Sequence, residues 1–465
     1  DLVVMAGTTK STNGTSIASS GAHQSSHGGS SGYNDAFIVQ FDTSGARNWG
    51  TYYGGDEEDA ATCVALDGSG NAYLGGYTES DNGKIATTGA HQTGLGNRYD
   101  AFLVEFNKSG VRQWGTYYGG SKDDLAHGID VKSNGSEIYL TGETASTKDI
   151  ATTGAHQASK GSGSDPDAFV VRFNGAGVRQ WASYYGGSGE DIAYDLVYDR
   201  NENIVLTGRT RSPNNIAVTN AYQTKHGGTG YYDCFLAKFK KDGTAYWTSY
   251  YGITLEDMAY GVTSDKDGFM VMTGFTRSTS GIATTGAFNT KQQGGNDVFV
   301  AKFCDLIIIS DPVSKTAWMG SSVTFSIDHI GTDYGSFKYQ WYKDSVAISG
   351  ATSKTYTIAS ADTIHEGKYY CKVSNDCHSA GLGSAAAKLT INRVSPDQSI
   401  CEGSSAKLQV ANVSGATYKW SPSTGLSSTN TATTTASPST TTTYQVLITK
   451  SGKTDTAEIK VTVKP

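Results

Sequence analysis

The heptapeptide Trp49-Gly50-Thr51-Tyr52-Tyr53-Gly54-Gly55 returns with small changes at residues 114–120 and 181–187 and, one glycine short, at 247–252. Its tryptophans, Trp49, Trp114, Trp181 and Trp247, stand 65, 67 and 66 residues apart. A unit of this length cannot bury its own hydrophobic face, so successive copies have to stack and be read as one object.

One unit reads as four strands. Residues 126–131 form the first, and Ser133-Asn134-Gly135 turns it into the second, residues 138–142. A long loop carrying Gly154-Ala155-His156-Gln157 leads to the third, residues 167–173, and the turn 174–177 leads to the fourth, residues 178–181. Short apolar or alternating runs separated by Gly, Asn and Asp are strand signals. The Asp-x-x-Gly and Asn-x-x-Gly hairpins before each fourth strand suit a type I turn closed by a glycine bulge. Four strands per unit, repeated, describe a β-propeller blade.

The recurring set, from Glu58-Asp59 through Asn71-Ala72-Tyr73-Leu74, Gly89-Ala90-His91-Gln92 and Asp100-Ala101-Phe102-Leu103-Val104 to Trp114, Tyr117 and Tyr118, resembles the bacterial SBBP-type propeller repeat over residues 1–304. Five second and third strands are visible against four first and fourth strands. The chain opens inside a second strand and its last unit stops after Phe303. The resemblance implies a seven-bladed ring with further blades upstream. A five-bladed ring completed by a short upstream segment is the alternative. Residue 1 is read as a truncation, a processing site or the limit of an ordered part.

Composition narrows the partners. Charged residues make up 17% of the chain and the formal net charge is -7, with no cluster of Lys and Arg. That argues against nucleic acid or an anionic membrane as the main partner. The longest apolar run, residues 306–309, is strand-sized and predicts no membrane span. The six cysteines (Cys63, Cys234, Cys304, Cys371, Cys377, Cys401) form no metal-ligand pattern, and Cys63 and Cys234 read as buried free thiols.

Residues 305–393 resemble an immunoglobulin-type sandwich. Residues 323–327 match its strand B, 339–343 its strand C with Trp341, and 367–371 its strand F, with Tyr369 at the tyrosine-corner position two before Cys371. Ile327 stands where the strand B cysteine belongs, so the usual core disulfide is lacking. Related bacterial domains clasp strand F to strand G, which implies a Cys371–Cys377 disulfide and an oxidising compartment. Residues 394–465 resemble a second Ig-like or PKD-like module of secreted Bacteroidetes proteins. There Lys453 replaces the cysteine that partners Cys401, leaving Cys401 unpaired. The Thr-rich run 429–443 reads as paired strands with Thr on the exposed face rather than a mucin-like spacer.

Several residue clusters carry a possible chemistry beside a structural role. Acidic pairs precede each first strand (Glu58-Asp59, Asp123-Asp124, Glu190-Asp191, Glu256-Asp257). The second carboxylate of each is expected to accept backbone N–H bonds in a tight turn rather than to ring a channel mouth. His23, His91 and His156 share one repeat position with Tyr222 and Phe288, so that position packs rather than ligates. Asp67-Gly68-Ser69-Gly70-Asn71 and Asp265-Lys266-Asp267-Gly268 lack the closing Glu of a calcium loop, so calcium is a minor alternative and no cofactor is expected. The Trp and Tyr pairs are read as packing between units, and ligand contacts are expected in the longer loops, residues 158–166 and 225–232. Relatives in Bacteroidetes carry O-glycans at Asp-(Ser/Thr)-apolar tripeptides, which implies Ser345, Thr363 and Thr456 as acceptors.

The expectation is therefore an all-β, multidomain extracellular protein with no catalytic or metal residues: a propeller (1–304) followed by two Ig-like sandwiches (305–393 and 394–465). The chain resembles cell-surface proteins exported by the type IX system. Adhesion or recognition of a surface glycan or extracellular protein is the first reading. A structural part of a surface layer, filament or secretion-linked assembly is the second, and an accessory part of a polysaccharide-acting enzyme the third.

Overall fold

The computed structural model describes the chain except residues 1, 13–16, 30–31, 82, 219–220, 266–268, 304–306, 319–320, 331–336, 362, 376–380, 393, 411, 413–414 and 451. It divides into two compact units, residues 1–304 and 305–465. The first is built on antiparallel sheets, and the second adds two parallel strand pairs, residues 315–318 with 389–392 and 398–401 with 461–464.

The first unit is a series of five meanders. Sheet I holds β1 (Leu2–Thr9), β2 (Asp35–Asp42) and β3 (Arg47–Tyr53). Sheet II holds β4 (Asp59–Leu66), β5 (Ala72–Thr78), β6 (Asp100–Phe106) and β7 (Arg112–Tyr118). Sheet III follows with β8 (Asp124–Val131), β9 (Glu137–Thr144), β10 (Asp167–Asn174) and β11 (Arg179–Tyr185). Sheet IV has β12 (Asp191–Tyr198), β13 (Ile204–Thr210), β14 (Asp233–Phe239) and β15 (Ala245–Tyr251), and sheet V has β16 (Asp257–Ser264), β17 (Met270–Thr276) and β18 (Asp297–Phe303). The fourth strand runs four residues beyond the expected Trp181, because the tyrosine pair belongs to the ladder: Tyr184 and Tyr185 oppose Phe169 and Ala168. The hairpins are as expected. Gly177 sits at φ +72° and donates to the Asn174 carbonyl, and the register shifts at Phe173.

The stacking has a repeated chemistry. The indole N–H of Trp49 donates to the Lys108 carbonyl in the hairpin of the next sheet, and Trp114 and Trp181 do the same to Gly175 and Lys241. The second tyrosine of each pair is buried and donates to the Ile85, Ile150, Ile216 or Ile282 carbonyl at 2.6–2.9 Å. Tyr118 also packs on Phe169 and Phe173 of the next sheet, with ring centroids 5.1 and 5.9 Å away. Each unit thus buries its aromatic face on its successor, and the pairs are core, as expected. A buried ion pair, Lys238 with Asp199 at 2.9 Å, adds a charged staple inside sheet IV.

The second unit holds two separate cores. In the first, Val323–Ser326 pairs with Thr355–Ile358. The opposing sheet orders Lys315–Trp318, Ala387–Asn392, Gly367–Ser374 and Lys338–Lys343, the immunoglobulin arrangement. Trp341 is fully buried against Phe325, and the Tyr369 hydroxyl donates to the His365 carbonyl at 2.7 Å, the tyrosine corner the sequence predicts. Tyr369→Phe is expected to cost about 1 kcal/mol by urea unfolding, because only one hydrogen bond is lost while the ring stays packed. Cys371 is a buried free thiol, and Cys377, its expected partner, lies outside the described residues. Cys401 is free and exposed.

The second core gathers Trp420, Tyr444, Val446, Ile459 and Val461. The Thr-rich run contributes the strand Thr433–Ala436, whose Thr433 and Thr435 are exposed. Thr434 differs: it is buried, because its hydroxyl exchanges hydrogen bonds with the backbone of Ser428.

Candidate recognition surface

The acidic position at the start of each first strand is structural. Asp124 is buried, and its carboxylate accepts from the Gly120 N–H at 2.7 Å, the Ser146 hydroxyl at 2.8 Å and the Thr144 hydroxyl. Asp59 and Asp257 repeat the set with Gly55, Thr78 and Ser80 and with Ile253, Thr276 and Ser278. Burial pushes Asp59 and Asp191 up to about 7 and Asp124 up to about 6, against the pull of these donors.

A second buried aspartate opens the third strand in sheets I to IV: Asp35, Asp100, Asp167 and Asp233. Asp100 accepts from Gly96 N–H and from the Gln92 side chain, whose carbonyl in turn accepts from Gly119 N–H. The glutamine of the Gly-Ala-His-Gln motif therefore clamps the tyrosine–glycine turn. The histidine packs: His91 lies against Tyr118 and Phe173, and Tyr222 takes the same place against Tyr251 and Phe303. Burial lowers His23 and His91 to about 4, so they stay neutral at neutral pH. Asp67 spends its carboxylate on Ser69 and Asn71 of its own hairpin, and Asp267 and Gly268 lie outside the described residues.

What the repeat does not hold constant lies elsewhere. In every first strand the ladder skips one residue, between Ala61 and Cys63, Ala126 and Gly128, Ala193 and Asp195, and Ala259 and Gly261. The skipped residues are Thr62, His127, Tyr194 and Tyr260. A bulge leaves its extra residue out of the ladder and re-aims its side chain. Glycine on the second strand allows it: a Cβ at Gly76, Gly142, Gly208 or Gly274 would collide with the carbonyl oxygen of Ala60, Leu125, Ile192 or Met258. Asp195, beside one bulge, accepts from the Val262 N–H of the next sheet at 2.9 Å.

The bulge residues touch one another across sheets. His127 lies 5.7 Å from Tyr194, and Tyr194 lies 4.9 Å from Tyr260, between ring centroids. The second strands add the residue just before their last threonine. Glu143 pairs with His127 at 3.1 Å, Arg209 lies over Tyr194, and Phe275 packs on Tyr260. Arg209 also binds Glu190 at 2.6 Å and covers Tyr232, whose hydroxyl donates to Glu190. Arg211 lies over the same ring at 3.9 Å. The result is an unbroken aromatic and charged row over sheets III to V, with Tyr260 49% exposed.

Of the two loops expected to hold ligand contacts, residues 225–232 join this row through Tyr232. Residues 158–166 fold on themselves: Lys160 tucks against Asp167 and donates to the Gly163 carbonyl. Of the implied glycan acceptors, Ser345 is exposed on a hairpin tip, Thr456 is exposed on a strand, and Thr363 opens a short 3-10 turn. No group of three or more His, Cys, Asp or Glu side chains that could hold a metal occurs among the described residues.

No protein-family model matches the chain. The mouse (Mus musculus) mucosa-associated lymphoid tissue lymphoma translocation protein 1 homolog is 36% identical over 88 residues, 19% of this chain and 10% of that protein. Regulatory protein FlaEY of Caulobacter vibrioides is 30% identical over 115 residues, 24% of this chain and 11% of its own length. The chain thus spans about a tenth of the curated relatives it matches. Among solved structures, the extracellular domains 3-5 of Drosophila OTK align at 14% identity and TM-score 0.19, covering 34% of this chain and 66% of that one. The N-terminal Ig1-2 module of the Drosophila receptor protein tyrosine phosphatase DLAR aligns at 14% identity and TM-score 0.17, covering 35% of this chain and all of that one. Among the described residues no helix is long and apolar enough to cross a membrane.

Proposed function

We propose that the chain is a non-catalytic recognition protein that works outside the cell, its stacked sheets being the blades of a β-propeller head and its two sandwiches a stalk. The observation that carries this reading is the bulge row. Four sheets repeat their tyrosine pairs and glutamine clamps, yet the bulge column reads Thr, His, Tyr, Tyr and the adjoining column Tyr, Glu, Arg, Phe. A residue that served only the fold would repeat with the fold. Tilted, part-exposed tyrosines beside a guanidinium and carboxylates offer both a stacking surface and hydrogen-bond partners, which suits a surface glycan. Resemblance to secreted Bacteroidetes proteins, type IX export and O-glycans at Ser345, Thr363 and Thr456 belongs to the same proposal.

A glycan array probed with the full chain, with calcium and with chelator, tests the reading. Selective binding that Tyr260→Ala weakens about fivefold is expected, since stacking on one aromatic contributes roughly 1 kcal/mol. Binding indifferent to Tyr260→Ala and Arg209→Ala would remove the row from the mechanism, and turnover of an arrayed glycan would make the protein an enzyme. Calcium-dependent binding would restore the Asp-rich turns as ion sites. An intact mass of the natural protein without hexose increments would rule out the glycans.

A further inference from the structure

We propose that the outer face of the larger sheet in the first sandwich binds an anionic polysaccharide, a linear sugar chain bearing carboxylate or sulfate groups. The site is separate from the bulge row and does not rest on it. The strands Lys338–Lys343, Gly367–Ser374 and Ala387–Asn392 bury Trp341, Tyr369, Cys371 and Leu389 on the inner side. Strand alternation sends the residues between them outward. Among those are Lys338, Lys368, Lys372 and Lys388, all exposed, and no outward position of the three strands is Asp or Glu. The lysines come from three strands between residues 338 and 388, so only the sheet brings them together. Residues 305–393 hold eight Lys and Arg against eight Asp and Glu. The positive face is therefore a segregation of charge within a balanced domain.

Packing does not ask for this arrangement. Lys368 stands directly opposite Lys388 in the antiparallel ladder, where like charges repel. Among the described residues none of the four ammonium groups has a carboxylate partner. The carboxylates at the strand ends serve the backbone instead: Asp344 accepts from the Lys368 N–H at 2.8 Å and Glu366 from the Ile391 N–H at 2.9 Å. Between the lysines, Tyr342 and Tyr370 stack across the ladder with centroids 4.9 Å apart and planes 4° from parallel. Both rings are half-buried, and the Lys372 ammonium lies 5.8 Å from the Tyr342 ring. The composition of the face selects its partner. Lysine is depleted in interfaces between proteins. Arginine, whose planar fork suits phosphate and base edges, holds none of these strand positions. Ammonium groups on flexible stems suit carboxylates or sulfates, and the tyrosine strip suits the sugar rings that carry them. Lys368 and Lys372 stand about 13 Å apart along one strand, so they engage successive units of a polymer rather than one small anion.

The test passes the full chain over immobilised heparin, which is sulfated, and polygalacturonate, which carries carboxylates, with dextran, oligo(dT) and phosphatidylserine vesicles as comparators. Expected is saturable binding to at least one of the two anionic polymers and none to dextran. Affinity should fall at least about tenfold between 50 and 200 mM salt, as ion-pair binding to a polyanion does. Heparin alone would assign the site to sulfate, polygalacturonate alone to carboxylate, and both to anionic sugar chains in general. Lys368→Gln, Lys388→Gln is expected to lose about tenfold in affinity. The same variant should melt at or above the wild type, because it removes a repulsion. Lys407→Gln, Lys419→Gln, which takes the same charge from exposed positions of the second sandwich, should bind as the wild type does. No binding to either polymer, equal loss in the two variants, or oligo(dT) or vesicle binding as tight as the polymer's would overturn the proposal.

Discussion

Replacing Asp124 by alanine is expected to destabilise residues 1–304 by about 3–5 kcal/mol, since three buried donors lose one acceptor. The donors are the Gly120 N–H and the Ser146 and Thr144 hydroxyls, all at the junction where one sheet's last strand turns into the next sheet's first. Asn at the same position keeps an acceptor for some of them and is expected to cost roughly half as much. Urea unfolding followed by tryptophan fluorescence reads both variants. Equal stability of wild type and Asp124→Ala would mean that the carboxylate does not hold the turn.

Lowering the pH from 8 to 5 is expected to raise the melting temperature of the repeat array by roughly 5–10 °C, the reverse of ordinary acid destabilisation. The cause is a set of carboxylates whose burial raises their folded-state affinity for protons: Asp59, Asp100 and Asp191 to about 7, and Asp124, Asp195 and Asp233 to about 6. In the unfolded chain the same groups titrate near 4. Between those limits the folded state binds more protons, so stability falls as pH rises through about 4 to 7 and levels off above. Asp100 illustrates the burial: its Oδ1 is buried with no hydrogen-bond partner among the described residues. Asn at position 124 cannot take up that proton, so the penalty of Asp124→Asn relative to wild type should grow by about 1 kcal/mol between pH 8 and pH 5. A calorimetric series from pH 5 to 8 with a flat or rising melting temperature would contradict the assignment.

Much of this was legible in the sequence because repetition marks what packing demands. Trp114 and Tyr118 recur since each must meet the next sheet, and His91 could be read as packing since Tyr222 replaces it without loss. Tyr369 declared its corner by its place two before Cys371. The bulge row was not legible by the same reasoning. A strand read at period two has no symbol for a skipped residue, and only the glycine opposite, Gly142 or Gly208, betrays the close approach that the bulge requires. His127, Tyr194 and Tyr260 therefore looked like unremarkable variation within a strand. Thr434 was misplaced for a related reason: a hydroxyl that satisfies itself on nearby backbone can enter a core that composition alone assigns to apolar groups.

The measurement that decides most is a binding titration of whichever glycan the array selects, comparing wild type with Tyr194→Ala, Arg209→Ala and with a control, Val111→Ser, Val178→Ser, at exposed hairpin positions away from the row. Expected is a loss of about tenfold or more for the row variant, with the control unchanged and the row variant still folded by circular dichroism though melting a few degrees lower. Undiminished binding by the row variant, or equal loss in the control, would contradict the assignment of recognition to the bulge residues.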